Sequence, residues 1–371
     1  MRKYELPIRA GLALLAIVIV TVYGSSCGSS NPQNAYAYVV QQSPALLTGS
    51  QSRSGGLAQL NVASDGELTS LGPANLGSTN IVGAILVHPS GKYLFLADSD
   101  GNAYEFMIRS DGTLAANPAG TLKPLAAGDG IAPVAYTPNG RFVITISVNF
   151  TGNNPTVVSH AIRSYELSSS GFPTLINTLS MNGNPSSVAI DTSGKFLYSS
   201  SYGSNLISKY MISESGALAF VETIQNDQSN GYDCFLTVSP GQFLYCASNG
   251  LPLETTIFAI DSSKGNLTQT ASLAGIAPSV FHPSGKYAYG QSNGIDQYKV
   301  DHATGALTAN GPTITGVSEL ALDPSGKFGL VFSGFDTVSL YNVGSNGQFT
   351  LGSSLALDQN SLAQKMAVTR H

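Results

Sequence analysis

Few side chains in this sequence could do chemistry, and most that could are carboxylates set far apart. The 371 residues include 22 Asp and Glu, 5 His and 3 Cys, with no Trp. Candidates for catalysis are Asp129, Asp233, Glu254 and Glu319, the imidazole of His160 and the phenol of Tyr202. Each belongs to a type that can take a proton from water or return one to a leaving group. Asp227 and Asp336 lie in comparable polar stretches. Hydrolysis of an ester or lactone would also need donors for the developing oxyanion. No cluster has metal-ligand spacing, so neither a metal nor a cofactor is expected. Asp98-Ser99-Asp100-Gly101-Asn102 places oxygens at alternate positions but lacks the distal bidentate Glu of a calcium loop, and reads as a hairpin turn.

These residues must be positioned by a repeated element. His88-Pro89-Ser90-Gly91-Lys92-Tyr93 returns as Thr137-Pro138-Asn139-Gly140-Arg141-Phe142 and Asp191-Thr192-Ser193-Gly194-Lys195-Phe196. It returns again at Ser239-Pro240-Gly241-Gln242-Phe243, His282-Pro283-Ser284-Gly285-Lys286-Tyr287 and Asp323-Pro324-Ser325-Gly326-Lys327-Phe328, with a worn copy at Asn31-Pro32-Gln33-Asn34-Ala35-Tyr36. Pro presets φ and Gly tolerates positive φ, so each copy reverses the chain between two apolar runs. Measured at Pro32, Pro89, Pro138, Thr192, Pro240, Pro283 and Pro324, the intervals are 57, 49, 54, 48, 43 and 41 residues. All-strand repeats of this period predict a β-propeller. A third apolar run and a second turn, such as Asp111-Gly112-Thr113-Leu114 or Thr304-Gly305-Ala306-Leu307, complete four antiparallel strands per blade.

The expected architecture is therefore an all-β, seven-bladed propeller over 35–371. The first repeat lacks its leading strand, and the tail Lys365-Met366-Ala367-Val368-Thr369-Arg370-His371 has the pattern of one. The tail is expected to pair with Ala35 to Gln41 and close the ring. The strand before each Pro turn lines the channel, and these strands read as almost free of charge. Catalytic groups would thus come from mouth loops: Asp129, Asp227, Asp233 and Glu319 between blades, and His160, Tyr202, Glu254 and Asp336 in or beside the second-to-third connections. Loop acids are more often simply solvated. His88 and His282 belong to turns on the opposite face, where turn chemistry accounts for them. The polar stretches 149–155 and 227–233 suit sugar or peptide contacts.

Before the repeats, Arg2, Lys3 and Arg9 flank an apolar run from Ala10 to Tyr23, and Gly24-Ser25-Ser26 precede Cys27. The run is short for a membrane span, which needs about 20 residues. It resembles bacterial lipoprotein signals, with Gly24 where Leu is usual. The resemblance implies removal of 1–26, lipidation of Cys27, a tether over 27–34, and anchoring in the cell envelope, at the outer membrane facing the periplasm or surface. An ordinary cleaved signal or an uncleaved anchor are the alternatives. Removing Arg2, Lys3, Arg9 and Glu5 leaves 14 basic against 21 acidic residues, a net charge of −7. That balance argues against nucleic acid as a partner. Cys234 and Cys246 lie on opposite arms of the fifth hairpin. A loop of Ser239-Pro240-Gly241 would set them face to face for a disulfide, whereas a Pro240-Gly241 loop would point them to opposite faces.

The turn phrase, with Gly-x-Leu about twenty residues on, resembles the lactonase-type seven-bladed propellers, which include phosphogluconolactonases and carboxymuconate-lactonising enzymes. The resemblance implies a polar site with His, Arg and Glu in the channel mouth. The family's Gly-Pro-Arg-His stretch falls on Asn184-Pro185-Ser186-Ser187, and its Asn-Glu falls on Ser201-Tyr202. Every ionisable group there is replaced. The leading expectation is a lipid-anchored, monomeric binding module that takes a small molecule or protein at its mouth, with Ser186, Ser187, Tyr202, Asp227 and Tyr232 as contacts. The alternative is a lactone hydrolase with a rearranged site.

Overall fold

Five of the recurring turns, those beginning at His88, Thr137, Asp191, His282 and Asp323, close in the same way. The first amide of each donates to the carbonyl of the aromatic that ends it, as His88 does to Tyr93 at 2.8 Å, and the glycine amide donates back, as Gly91 does to His88 at 2.8 Å. The glycine takes a positive φ, 72° at Gly91, which L-residues avoid. The strands leaving these turns are buried on both faces, Phe243–Ser248 throughout its length, so they read as continuous apolar runs. Outer strands such as Leu218–Gln225 are largely exposed.

The computed structural model describes residues 34–42, 55–74, 82–98, 103–115, 120–122, 129–151, 156–167, 173–181, 185–201, 203–226, 234–248, 252–291, 293–357 and 362–370. The expected signal and tether, Cys27 included, lie outside them. The described residues form 28 strands in seven four-stranded antiparallel sheets. Blade one joins β28 (Leu362–Arg370) to β1 (Ala35–Gln42), β2 (Gly55–Val62) and β3 (Leu68–Ala74). Blade two holds β4 (Val82–Val87), β5 (Tyr93–Asp98), β6 (Ala103–Met107) and β7 (Gly120–Leu122). Blade three holds β8 (Asp129–Tyr136), β9 (Phe142–Thr151), β10 (Thr156–Leu167) and β11 (Pro173–Met181). Blade four holds β12 (Pro185–Ile190), β13 (Phe196–Ser201), β14 (Leu206–Ile212) and β15 (Leu218–Gln225). Blade five holds β16 (Cys234–Val238), β17 (Phe243–Ser248), β18 (Glu254–Ile260) and β19 (Leu267–Ala274). Blade six holds β20 (Pro278–Phe281), β21 (Tyr287–Gln291), β22 (Ile295–Val300) and β23 (Leu307–Ala309). Blade seven holds β24 (Val317–Leu322), β25 (Phe328–Ser333), β26 (Thr337–Val343) and β27 (Phe349–Ala356).

The expected closure is present. Tyr36 faces Thr369, Ala37 faces Val368, Tyr38 faces Ala367 and Val39 faces Met366. This pairing leaves no free inner edge, which removes a template for aggregation.

Two contacts repeat at the seams between blades. The aromatic ending each Pro turn packs on the glycine of the third-to-fourth turn in the next blade: Tyr36 on Gly112, Phe142 on Gly216, Phe196 on Gly265, Phe243 on Gly305 and Tyr287 on Gly347. A Cβ at Gly305 would meet the Phe243 ring at 2.8 Å, and its φ of 74° excludes other residues independently. Two residues further along the second strand, a buried tyrosine donates its hydroxyl to the same glycine's carbonyl. Tyr38 reaches Gly112 at 2.8 Å, Tyr198 reaches Gly265 at 2.7 Å, Tyr245 reaches Gly305 at 2.6 Å and Tyr289 reaches Gly347 at 2.8 Å. Blade seven has Leu330 at this place, and Ser353 on β27 supplies the hydroxyl to Gly66 instead, at 2.6 Å. On this same far face His88 and His282 bond within their turns to Ser90 and Ser284, as expected, and in addition His88 Nε2 meets the Gly140 carbonyl oxygen of the next blade at 2.7 Å and His282 Nε2 that of Gly326 at 3.1 Å.

The fifth hairpin departs from both expected registers. Val238 faces Leu244, and the Ser239 amide donates to Phe243, so the loop is Pro240-Gly241-Gln242 with Gln242 at φ 62°. Moving the register by two keeps Cys234 and Cys246 on one face but sets them diagonally, Cys234 opposite Ser248 and Cys246 opposite Leu236. Strand twist brings their Cα atoms to 5.2 Å, and the disulfide forms.

Removing a buried hydroxyl donor leaves its carbonyl partner unsatisfied, at a cost of roughly 1–2 kcal/mol. Tyr198→Phe and Ser353→Ala should each lower unfolding free energy by that amount in denaturant titrations, with unchanged m-value. Ending the chain at residue 361 should abolish the single cooperative transition, because β1 is left unpaired along the channel.

Candidate functional site

The seven inner strands, β28, β4, β8, β12, β16, β20 and β24, each touch the next around the axis. Each runs from the mouth face toward its Pro turn on the far face. In all of them but β16 the pairing with the second strand slips by one residue, at Gly83, Pro133, Ser186, Ser279, Glu319 and Gln364. Such bulges bend a strand and re-aim the residue left unpaired. They are concentrated toward the mouth, where the strands begin.

One of these bulges carries a charge. Glu319 was expected in a mouth loop between blades, but the structure places it within β24, between Ser318 and Leu320, in the left-handed region at φ 47°. Among the described residues only Gln242 shares that conformation without being glycine. It costs a glutamate of order 1 kcal/mol and is held by the pairing on either side. The Glu319 side chain is 15% exposed, and one oxygen lies 3.7 Å from Lys365 Nζ on β28, the neighbouring inner strand. Burial raises the Glu319 pKa above the usual carboxylate range, and Lys365 opposes the rise. The inner strands are thus not free of charge, as their apolar runs suggested. Across the seam where the ring closes, Glu319 pairs with Lys365 at the mouth end, and Arg370 at the far end of β28 pairs with Asp323, which follows β24.

Such a pair has the parts of a hydrolytic site: a carboxylate poised to accept a proton from water, and an ammonium beside it to meet developing negative charge. Lys365 escaped sequence reasoning because it was read as part of a closing strand. Its signal was present, as a cation placed immediately before the apolar residues of that tail.

The other expected residues are not brought together. His160 lies inside β10, buried, opposite Val148 and Met181, rather than in a loop. Asn149 to Thr151 likewise belong to β9, and 152–155 lie outside the described residues. Asp129 opens β8 opposite Asn149. Glu254 opens β18 and accepts a bond from Ser272 Oγ at 2.9 Å, on an outward part of blade five. Ser186 Oγ meets Ser200 Oγ at 2.8 Å, and Ser187 Oγ accepts the Leu236 amide at 2.9 Å. Where the resemblance would put Arg and His, two hydroxyls therefore bind strand to strand and blade to blade. Asp98 ends β5, while Ser99 to Asn102 lie outside the described residues, as do Tyr202, Asp227, Tyr232 and Asp233. No group of three metal-ligating side chains occurs among the described residues.

A second perturbed carboxyl was also missed. Glu105 on β6 is 2% exposed and accepts a hydrogen bond from the Tyr136 hydroxyl at 3.1 Å, between blades two and three. Burial pushes its pKa from 4.5 up to about 7. It lies mid-strand and away from the mouth pair, in an interior seam.

Comparison with known proteins now fits the architecture. The family model described as "Lactonase, 7-bladed beta-propeller" matches residues 169–283, from the last strand of blade three through blades four and five to the first strand of blade six. No curated protein sequence matches the chain. A Bacteroides fragilis protein assigned as a 6-phosphogluconolactonase superposes with TM-score 0.68 at 18% identity, over 93% of this chain and 99% of that one. The periplasmic gluconolactonase of Pseudomonas aeruginosa gives TM-score 0.65 at 17% identity, over 90% and 99%. A Desulfotomaculum acetoxidans protein of unknown function gives TM-score 0.65 at 13% identity, over 90% and 98%. The fold is that of the lactonase-type seven-bladed propellers. At these identities the likeness concerns the fold, and chemistry must be argued from the residues.

Because the Glu105 pKa is raised in the folded state, its contribution is full below pH 4.5 and is lost as pH rises through about 7. Unfolding free energy of the protein should therefore fall across that window relative to Glu105→Gln, by up to roughly 3 kcal/mol. Parallel pH–stability curves for the two proteins would show that Glu105 does not titrate this way.

Proposed function

We propose that the protein is a lactone hydrolase of the cell envelope, tethered through Cys27, in which Glu319 is the general base and Lys365 the oxyanion partner. The observation that carries this reading is the buried Glu319–Lys365 pair on neighbouring inner strands at the mouth end of the channel. In the proposed reaction Glu319 takes a proton from water as the oxygen adds to the lactone carbonyl. Lys365 meets the resulting oxyanion. The intermediate collapses by breaking the ring C–O bond, and Glu319 returns the proton to the departing alkoxide. A base with a raised pKa suits this work near neutral pH, because proton transfer from water is then less uphill.

A second reading is a binding module with no turnover. It is favoured by Ser186 and Ser187, whose hydroxyls are committed to seam hydrogen bonds where the lactonase resemblance would need ionisable groups. Under it, the mouth loops carrying Tyr202, Asp227 and Tyr232 would contact a small molecule or a protein.

Titrimetric assay of the purified protein on sugar and acyl lactones separates the two. The hydrolase reading expects acid release above the spontaneous rate, rising with pH as Glu319 ionises. It expects a fall of about 10²–10⁴-fold in Glu319→Gln at unchanged melting temperature. Absence of turnover on every lactone, or a Glu319→Gln variant as active as the wild type, would leave the binding module in its place.

A further inference from the structure

A cleft of about 480 Å³ opens on the mouth face between blades six and seven, beside the strand that carries Glu319. Its walls present Phe335, Val317, Ser318, Gln291 and Asn293. The remaining lining is glycine: Gly294, Gly316 and Gly334. At Gly316 and Gly334 a Cβ would meet no atom within 4 Å, so these residues leave the space open rather than filling it.

Phe335 is 76% exposed, more than any other large apolar side chain among the described residues. Its backbone is nonetheless fixed. The Phe335 carbonyl accepts the Ala363 amide at 2.9 Å, and the Asp336 carbonyl accepts the Leu357 amide. The turn is thus tied to blade one on one side and to the end of β27 on the other, which presents an aromatic ring in water at a defined place. On the facing wall, mutual bonds of 2.9 Å between Ile295 and Ile314 anchor the turn that ends at Gly294.

We infer that this cleft binds the ring of a neutral saccharide, with Phe335 as platform and Gln291, Asn293 and Ser318 as hydroxyl partners. A pyranose has an apolar face of C–H groups and a rim of hydroxyls. A flat exposed ring takes the first, and side-chain amides, which both donate and accept, take the second. Nothing charged lines the cleft, and the residue after Phe335 is Asp336, so a phosphorylated sugar gains nothing here and meets a carboxylate nearby. A peptide is disfavoured because the adjoining main chain is already paired, Val317 with Ser333 and Ser318 with Phe332. The inference goes beyond lactone hydrolysis, since a ring could be held here whether or not it is turned over.

Saturation-transfer NMR and calorimetry on the full protein, with D-glucose, D-galactose, glucono-1,5-lactone and glucose 6-phosphate as probes, test it. At least one neutral probe should bind, and glucose 6-phosphate should bind no tighter than glucose. Phe335→Ala should weaken binding about tenfold or more, Phe335→Tyr should retain it, and Asn293→Ala should weaken it. Glu319→Gln should leave it intact, which separates this site from the proposed reaction. Failure of every neutral probe to bind, tighter binding of the phosphate, or a Phe335→Ala variant that binds like the wild type would overturn the assignment.

Discussion

Among the described residues, five of the seven blades are fixed to the one before them through the contact between an aromatic ring and a glycine that has no Cβ to obstruct it. The ring ends the Pro turn of one blade, and the glycine sits in the third-to-fourth turn of the next. Where the second strand carries tyrosine, its hydroxyl then satisfies that glycine's carbonyl. Small sheets have too little buried area to stand alone, so their stability is shared across such seams. The constraint reaches the function as well. Rigid seams hold the starts of the inner strands in a circle, and bulges there leave residues free to be re-aimed toward the channel mouth.

The candidate site uses that freedom sparingly. A buried carboxylate is costly unless partnered, and Lys365 offsets part of the cost for Glu319 across the seam. The left-handed backbone at Glu319 adds local strain that a glycine would avoid. Ser279 and Ser186, unpaired at the bulges of two other blades, carry no charge, and neither does Pro133. A site assembled from one such position differs from a cluster of ionisable groups, and the hydroxyls of Ser186 and Ser187 show what the remaining positions do when chemistry is not asked of them.

Much of the fold was legible because its determinants are local. Pro and Gly at fixed offsets give the turns, and in each blade the aromatic ending the turn faces one neighbour while the Gly-x-Leu twenty residues on faces the other. Even the closing strand could be read, since the tail repeats the pattern that the first repeat lacks. What escaped depended on single-residue register. Gln242 takes a positive φ that no propensity announces, which moves the three-residue loop one place along the chain and turns the cysteine pair diagonal. Glu319 looked like a loop acid because nothing in sequence marks a bulge inside a short strand. Glu105 alternates correctly for a third strand, and only the packing of Tyr136 from the next blade shows that it is buried.

The Glu319–Lys365 pair joins β24 to β28, and β28 is also the strand that docks beside β1 to shut the circle. Glu319 and Lys365 lie on strands separated in sequence only by the outer strands of blade seven, but the strand that carries Lys365 is held in place by β1 from the far end of the chain, Lys365 opposite Val40. In a chain whose circle had not closed, β28 would lack its partner strand and the lysine would not be fixed beside the carboxylate, which is then chemically mute. Competence is in this sense the last thing the molecule acquires, and it reports on the integrity of the whole circuit.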